Sequence, residues 1–290
     1  MLDLVERVTA ALRNPGDSPW LPGLAAGLTD RGWKDLYHDT GLTPSEYGTE
    51  RMLTRDRNAP RKIVSVIPAS LDDTDPARVF QIELLGRETA RRYEESGVRF
   101  YSEDEITQGR ITERVVETVN ILKNIPTLFT AVTKLVRAVH LIDAGNDDYD
   151  VSFSEPHVPF SIFVSVPKAS NITNMLRLTE AIVHEAMHLQ LTLIEKCVPL
   201  AHETQLRIFS PWRGEYRSIR GVLHGLYVFR VIDRFLECLL RRKSYPDKEV
   251  KYIQGRRDEI VEQINKVSTL RGYPELTLVG DCFVDRLIHP

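Results

Sequence analysis

The sequence is poor in cysteine: Cys197, Cys238 and Cys282 are the only three in 290 residues. Their number is odd, their spacing is wide and no CxxC pair occurs. Neither a disulfide framework nor a thiolate zinc site is expected, and a reducing compartment fits best. No apolar run reaches the roughly 18–20 residues that a membrane span needs. An excess of positive charge is also missing, with 38 Lys and Arg against 41 Asp and Glu and a net charge of −3. This argues against nucleic acid as a partner. The short cluster Arg241-Arg242-Lys243 reads as a solvated helix end. The stretch Met1-Leu2-Asp3-Leu4-Val5-Glu6-Arg7 carries acids where a secretory signal is basic and then apolar. Together these absences predict a soluble, cytoplasmic protein with no membrane partner. There is no internal repeat and no low-complexity segment. Hydrophobic residues make up 42% of the chain, enough for a sizeable core.

The pattern along the chain is mostly helical. Residues 1–13 read as a short amphipathic helix. Residues 14–75 are richer in Pro, Gly and Asp and only weakly periodic. They hold Trp20 and Trp33, which predicts packing rather than disorder. A helix is expected from the Asp75-Pro76 cap to Gly97. A second begins at Ser102, where Glu105 three residues on completes a capping box, with Ile106, Ile111, Val115, Val119 and Leu122 on one face. A third runs from Pro126 to before Gly145. The period then changes. Val151–Ser154 alternates and Phe160–Val166 is a β-branched and aromatic run, so two strands joined by a turn at Glu155-Pro156-His157 are expected. Long helices follow at about 172–196, capped by Ser170 or Asn171, then at about 218–242 and 247–266.

The predicted class is therefore α+β, mainly α. A long metal-binding helix lies beside a small antiparallel sheet, in a zincin-like local arrangement. Residues 1–290 are expected to form one compact domain, with a mainly helical part over 1–145 and the metal-binding part over 146–290.

The chemistry begins at His184-Glu185-Ala186-Met187-His188. Histidines at i and i+4 leave a helix only about 40° apart, so both imidazoles can reach one ion. Glu185 lies about 100° round from His184, at the edge of that face, where it can serve as general base or steer a ligand. Shuffled versions of this chain would carry an HExxH in roughly one or two cases per hundred. Thr173, Arg177, Glu180, His188 and Glu195 share the His184 face, and most of the remaining circumference is apolar. A largely buried helix with one polar stripe is expected. Arg177 and Glu180 read most simply as an ion pair. Glu195 lies roughly 10 Å along the axis from His188, too far to share its ion.

A third ligand is needed. The metzincin extension would place Gly at 191 and His at 194, but Leu191 and Ile194 stand there. A gluzincin glutamate roughly 20–25 residues after the second histidine is not well matched either, because Glu203 is too early and Glu215 slightly late. His157, His202 and His224 remain. His224 is favoured: it sits between Gly221 and Gly225 on a strongly apolar helix, where glycines lower stability by up to about 1 kcal/mol each but allow close approach. Arg220 and Arg217 precede it on the same face, and Arg213 stands in the preceding loop. An arginine fork grips a carboxylate through two parallel hydrogen bonds. A hydrolase has no evident use for one. An iron oxygenase that takes 2-oxoglutarate does, for the far carboxylate of that cosubstrate.

Ala181–Leu189, Ser210-Pro211-Trp212-Arg213, Arg217 and Gly221–Phe229 resemble the HExxH-type Fe(II)/2-oxoglutarate-dependent peptide β-hydroxylases of modified-peptide biosynthesis. Phe160–Pro167 is also similar, and the likeness spans roughly residues 150–230. The resemblance implies that His184, His188 and His224 hold Fe(II), that Arg217 or Arg213 binds 2-oxoglutarate, and that the enzyme hydroxylates a side chain, at Cβ, in a peptide or amino-acid substrate. Three histidines depart from the usual 2-His-1-carboxylate set of such oxygenases. Ser218 follows the arginine where the family often has proline. Two other readings stand beside this one: a zinc metallopeptidase with Glu185 activating water, and a non-enzymatic metal-binding protein.

Overall fold

The computed structural model describes residues 3–14, 16, 18–40, 62–68, 79–146, 150–155, 158, 160–242 and 245–289. In chain order these form α1 (Leu4–Arg13), α2 (Pro22–Thr40), β1 (Lys62–Pro68), β2 (Val79–Leu84), α3 (Arg87–Glu94), α4 (Glu103–Gln108), α5 (Ile111–Lys123) and α6 (Pro126–Leu135). There follow β3 (Ala138–Ile142), β4 (Ser152–Phe153), β5 (Ser161–Ser165), α7 (Ile172–Cys197), β6 (Arg207–Ser210), β7 (Glu215–Ser218), α8 (Ile219–Arg241), α9 (Asp247–Asn265) and α10 (Leu278–Ile288). The described chain is mainly helical with a small mixed sheet. No described helix is long and apolar enough to cross a membrane.

Local chemistry accounts for many helix starts. Asp3 and Glu6 form a capping box at the head of α1. Ser102 and Glu105 form the expected one at α4. Pro126 opens α6 in its first turn. Asn171 Oδ1 accepts from the Asn174 amide at 2.9 Å, which settles the cap of α7 on Asn171. Ser218 caps α8 through the Gly221 amide.

The Glu105 carboxyl gives a pH prediction. The amide and hydroxyl of Ser102, and then the Arg99 guanidinium, hold it down to about 2. A depressed carboxyl contributes stability above its unfolded value and loses it as the pH falls towards the folded one. Glu105→Gln is therefore expected to weaken the fold at neutral pH by no more than about 1 kcal/mol, because the side chain is 41% exposed and solvent screens its charge. The difference should shrink from about pH 4.5 downwards and vanish near 2. Urea midpoints of both proteins at neutral and acid pH check this.

The described chain divides into two compact units. The first holds residues Thr29–Leu189 and contains the five-stranded sheet, in the order β1-β2-β3-β5-β4. β2, β3 and β5 run parallel, whereas β1 and β4 pair antiparallel at the two edges. The sheet is thus mixed, not antiparallel. The predicted pairing of the 151–154 and 160–166 segments is present, with Ser152 opposite Val164 and Phe153 opposite Phe163. The remaining strands differ from the sequence reading. β3 lies where a continuous helix was expected. Its residues Ala-Val-His-Leu-Ile are all buried, and a short buried run with no polar alternation carries no period that separates a buried strand from a buried helix. β2 replaces the start of the helix expected up to Gly97. Only the eight residues of α3 are helical there, and the Asp75-Pro76 cap lies outside the described residues. The turn at Pro156 and His157 also lies outside them. Trp33 is packed, as expected, and stacks on Phe160 with centroids 4.3 Å apart.

The second unit holds Met1–Leu28 and Gln190–Pro290. It contains α1, the β6–β7 hairpin and α8 to α10. Trp20 is buried there. The α8 core is apolar over three full turns, with Val222, Leu223, Leu226, Val228, Val231 and Ile232 excluded from solvent. Gln190 is fully buried and ties this unit together: its amide donates to the Trp20 carbonyl at 3.1 Å and its oxygen accepts from the Tyr227 hydroxyl. The three cysteines are free thiols. Arg241 pairs with Glu237 at an exposed helix end, as its cluster predicts.

Candidate metal centre

α7 forms because its apolar residues recur on most of its circumference. Met175, Leu176, Ile182, Val183, Ala186, Met187, Leu191 and Ile194 are buried. Thr173, Arg177, Glu180, His184, His188 and Glu195 are half-buried, and they share one face. The single polar stripe expected from the sequence is therefore present. Arg177 pairs with Asp150 at 2.9 Å, a partner outside the helix that spacing along α7 does not suggest.

The stripe brings the two motif histidines together. His184 Nε2 and His188 Nε2 lie 3.1 Å apart, with the ring planes at 65°. Two metal-bound nitrogens at about 2.1 Å from one ion, at right angles, lie about 3.0 Å apart. The observed spacing fits adjacent ligand positions. Among the described residues no group of three or more His, Cys, Asp or Glu is arranged to hold an ion. The described residues thus bring two adjacent donors together and no complete set.

Glu185 is the buried member of the motif, 3% exposed. Its Oε1 accepts from the Ser152 hydroxyl at 2.8 Å and lies 3.9 Å from His184 Nε2. Ser152 was not singled out in the sequence. It stands in a two-residue strand thirty-three positions upstream, and nothing local marks it.

The other candidates lie on the second unit. His224 Nε2 is 2.9 Å from Glu195 Oε2, and Arg220 reaches the same oxygen at 2.7–2.8 Å. Burial works against the charged form of Glu195, but the hydrogen bonds from His224 and Arg220 hold its carboxyl below the usual range. Glu195 is therefore the partner of His224, a pairing between two helices that spacing along one helix could not show. Arg220 is engaged in this internal ion pair. Arg217 does not belong to α8; it lies in β7 opposite Ile208, and its side chain runs within 3.5 Å of where a Gly221 side chain would begin. Arg213 is exposed in the hairpin turn, which closes at Gly214. His202 is exposed, and its amide donates to the Glu275 carbonyl. His157 lies outside the described residues.

The glycines flanking His224 have different tasks. A Cβ at Gly225 would sit 2.6 Å from the Trp212 ring, which packs flat against the helix there and stacks on Phe229 at 5.3 Å. Gly225→Ala is expected to destabilise the second unit by about 1–3 kcal/mol through overpacking, despite the better helix propensity of alanine. A thermal melt checks it, and an unchanged or raised midpoint would show that the indole yields freely.

No protein-family model matches the chain, and no curated protein is significantly similar to it.

Proposed function

We propose that the chain is a non-haem Fe(II)- and 2-oxoglutarate-dependent oxygenase. Its reaction is hydroxylation of an amino-acid side chain, at Cβ, in a ribosomally made peptide or a related natural-product precursor. The observation that carries the reading is the convergence of His184 Nε2 and His188 Nε2 at 3.1 Å. Bound iron, with 2-oxoglutarate and oxygen, supplies the oxidising power for C–H hydroxylation. The chain supplies the rest. His184 and His188 give adjacent donors on the half-buried polar stripe of α7. The motif resemblance adds His224 as third ligand. Its Nε2–H would donate to Glu195 while the other ring nitrogen ligates, the usual way a carboxylate orients a ligand imidazole. Arg217 or Arg213 provides the planar cation for the distal carboxylate of 2-oxoglutarate, since Arg220 is committed to Glu195. Glu185, buried and hydrogen-bonded, supports the ligands rather than acting as a base. The zincin-like reading of α7 beside the β4 edge belongs to this proposal.

A zinc peptidase is the second reading, favoured by the Glu185 carboxylate beside His184. Incubation of candidate peptides with the protein, Fe(II), 2-oxoglutarate and oxygen separates the two by mass spectrometry. A gain of one oxygen supports the oxygenase. Peptide cleavage with zinc and no gain of oxygen overturns it.

A further inference from the structure

The β4 strand is short but firmly held. The Val151 amide donates to Ser165 Oγ at 3.0 Å, and the Ser165 amide donates to the Val151 carbonyl at 2.8 Å. Phe153 stacks on Phe163 with centroids 4.5 Å apart and ring planes within 9°. Val151 and Phe153 both pack on the cluster of Ile142, Val158 and Phe163. Successive strand residues face opposite sides, so Ser152 points away from that cluster, and its hydroxyl meets Glu185 on α7. Both neighbours of Ser152 are thus anchored, which leaves its hydroxyl little freedom to move away.

A carboxylate as buried as Glu185 must be hydrogen-bonded to remain there. Its oxygen that accepts from Ser152 is also the one 3.9 Å from His184 Nε2. We infer that Ser152 is a positioning residue of the metal centre: its hydroxyl fixes the Glu185 carboxylate beside the His184–His188 pair. The strand, through one hydroxyl, sets the rotamer of the group flanking the two nitrogens. This rests on the metal reading proposed above and adds to it a residue outside the motif. Outer groups that orient a metal site change affinity by about 10–100-fold when removed. Ser152 acts one step further out, so the lower end applies.

The test is Co(II) binding, read by affinity and by the visible absorption of the bound ion, together with the melting temperature of the metal-free protein. Ser152→Ala is expected to weaken Co(II) binding by roughly tenfold and to alter the absorption band. Ser152→Thr, which keeps the hydroxyl on a residue suited to a strand, should retain both. In a Glu185→Ala background the Ser152→Ala change should have no further effect, because its action passes through the carboxylate. Wild-type affinity in Ser152→Ala overturns the inference, as does an equal loss in the Glu185→Ala background; both leave the metal reading standing. Absence of stoichiometric Co(II) in the wild-type protein overturns the metal reading, and this inference with it.

Discussion

Alanine at His184 or at His188 is expected to lower the affinity for Fe(II) or Co(II) by more than about a hundredfold. Groups that merely orient a ligand are worth 10–100-fold, and in the proposed centre these two side chains are the donors themselves. Their nitrogens are set 3.1 Å apart by helix geometry alone, so losing either one removes a preorganised chelate. The fold should be almost unaffected. His184 lies on the half-buried stripe with its side chain 24% exposed, and truncating it opens no core cavity. Equilibrium dialysis of the single variants against a metal buffer measures the loss, and circular dichroism confirms the fold. A variant that keeps wild-type affinity would show that its histidine is not a ligand.

Arg230→Ala is expected to cost about 3 kcal/mol of unfolding free energy, at the lower end of the range for breaking a buried ion pair. Arg230 is 7% exposed. Its guanidinium donates to the Leu287 carbonyl, to the Ile288 carbonyl at 3.2 Å and to Asp233 at 3.1 Å. Removing it strips hydrogen-bond donors from the end of α10. It also leaves Asp233, whose side chain is 4% exposed, with the Arg257 guanidinium at 2.9 Å. That surviving pair is the reason for the lower figure. Burial already pulls the Arg230 guanidinium down from its ordinary value, against the opposing pull of Asp233. Urea unfolding at neutral pH measures the effect. A loss below about 1 kcal/mol would show that the α10 end finds water or another donor.

The parts of this molecule that a reader of the sequence can reach are those set by neighbours in the chain. The Ser102–Glu105 box is two residues closing one turn, and it stands as read. The helices α7 and α8 are long and strongly periodic, and their predicted ends agree with the structure within one residue. The convergence of His184 and His188 follows from the i, i+4 spacing. What escapes the sequence depends on distant partners. The buried run of β3 is a strand because β2 and β5 flank it. The β6–β7 hairpin was missed, although the alternation at Arg207-Ile208-Phe209 before a turn ending in Gly214 was a usable signal. The helix expected from about 218 puts Arg217 just before it on the His224 face, whereas the hairpin places Arg217 in β7 opposite Ile208. The partners Glu195 for His224, Ser152 for Glu185 and Asp150 for Arg177 are contacts between separate elements, which side-chain spacing within one element cannot disclose.

The central claim is that His184 and His188 hold iron for 2-oxoglutarate-dependent chemistry. The most direct measurement is an anaerobic titration of the Fe(II)-loaded protein with 2-oxoglutarate, followed by visible absorption. A weak charge-transfer band that saturates with one iron per chain and is absent in His184→Ala is expected. No band in the wild-type protein, together with one equivalent of tightly held zinc and cleavage of peptide substrates, would contradict it.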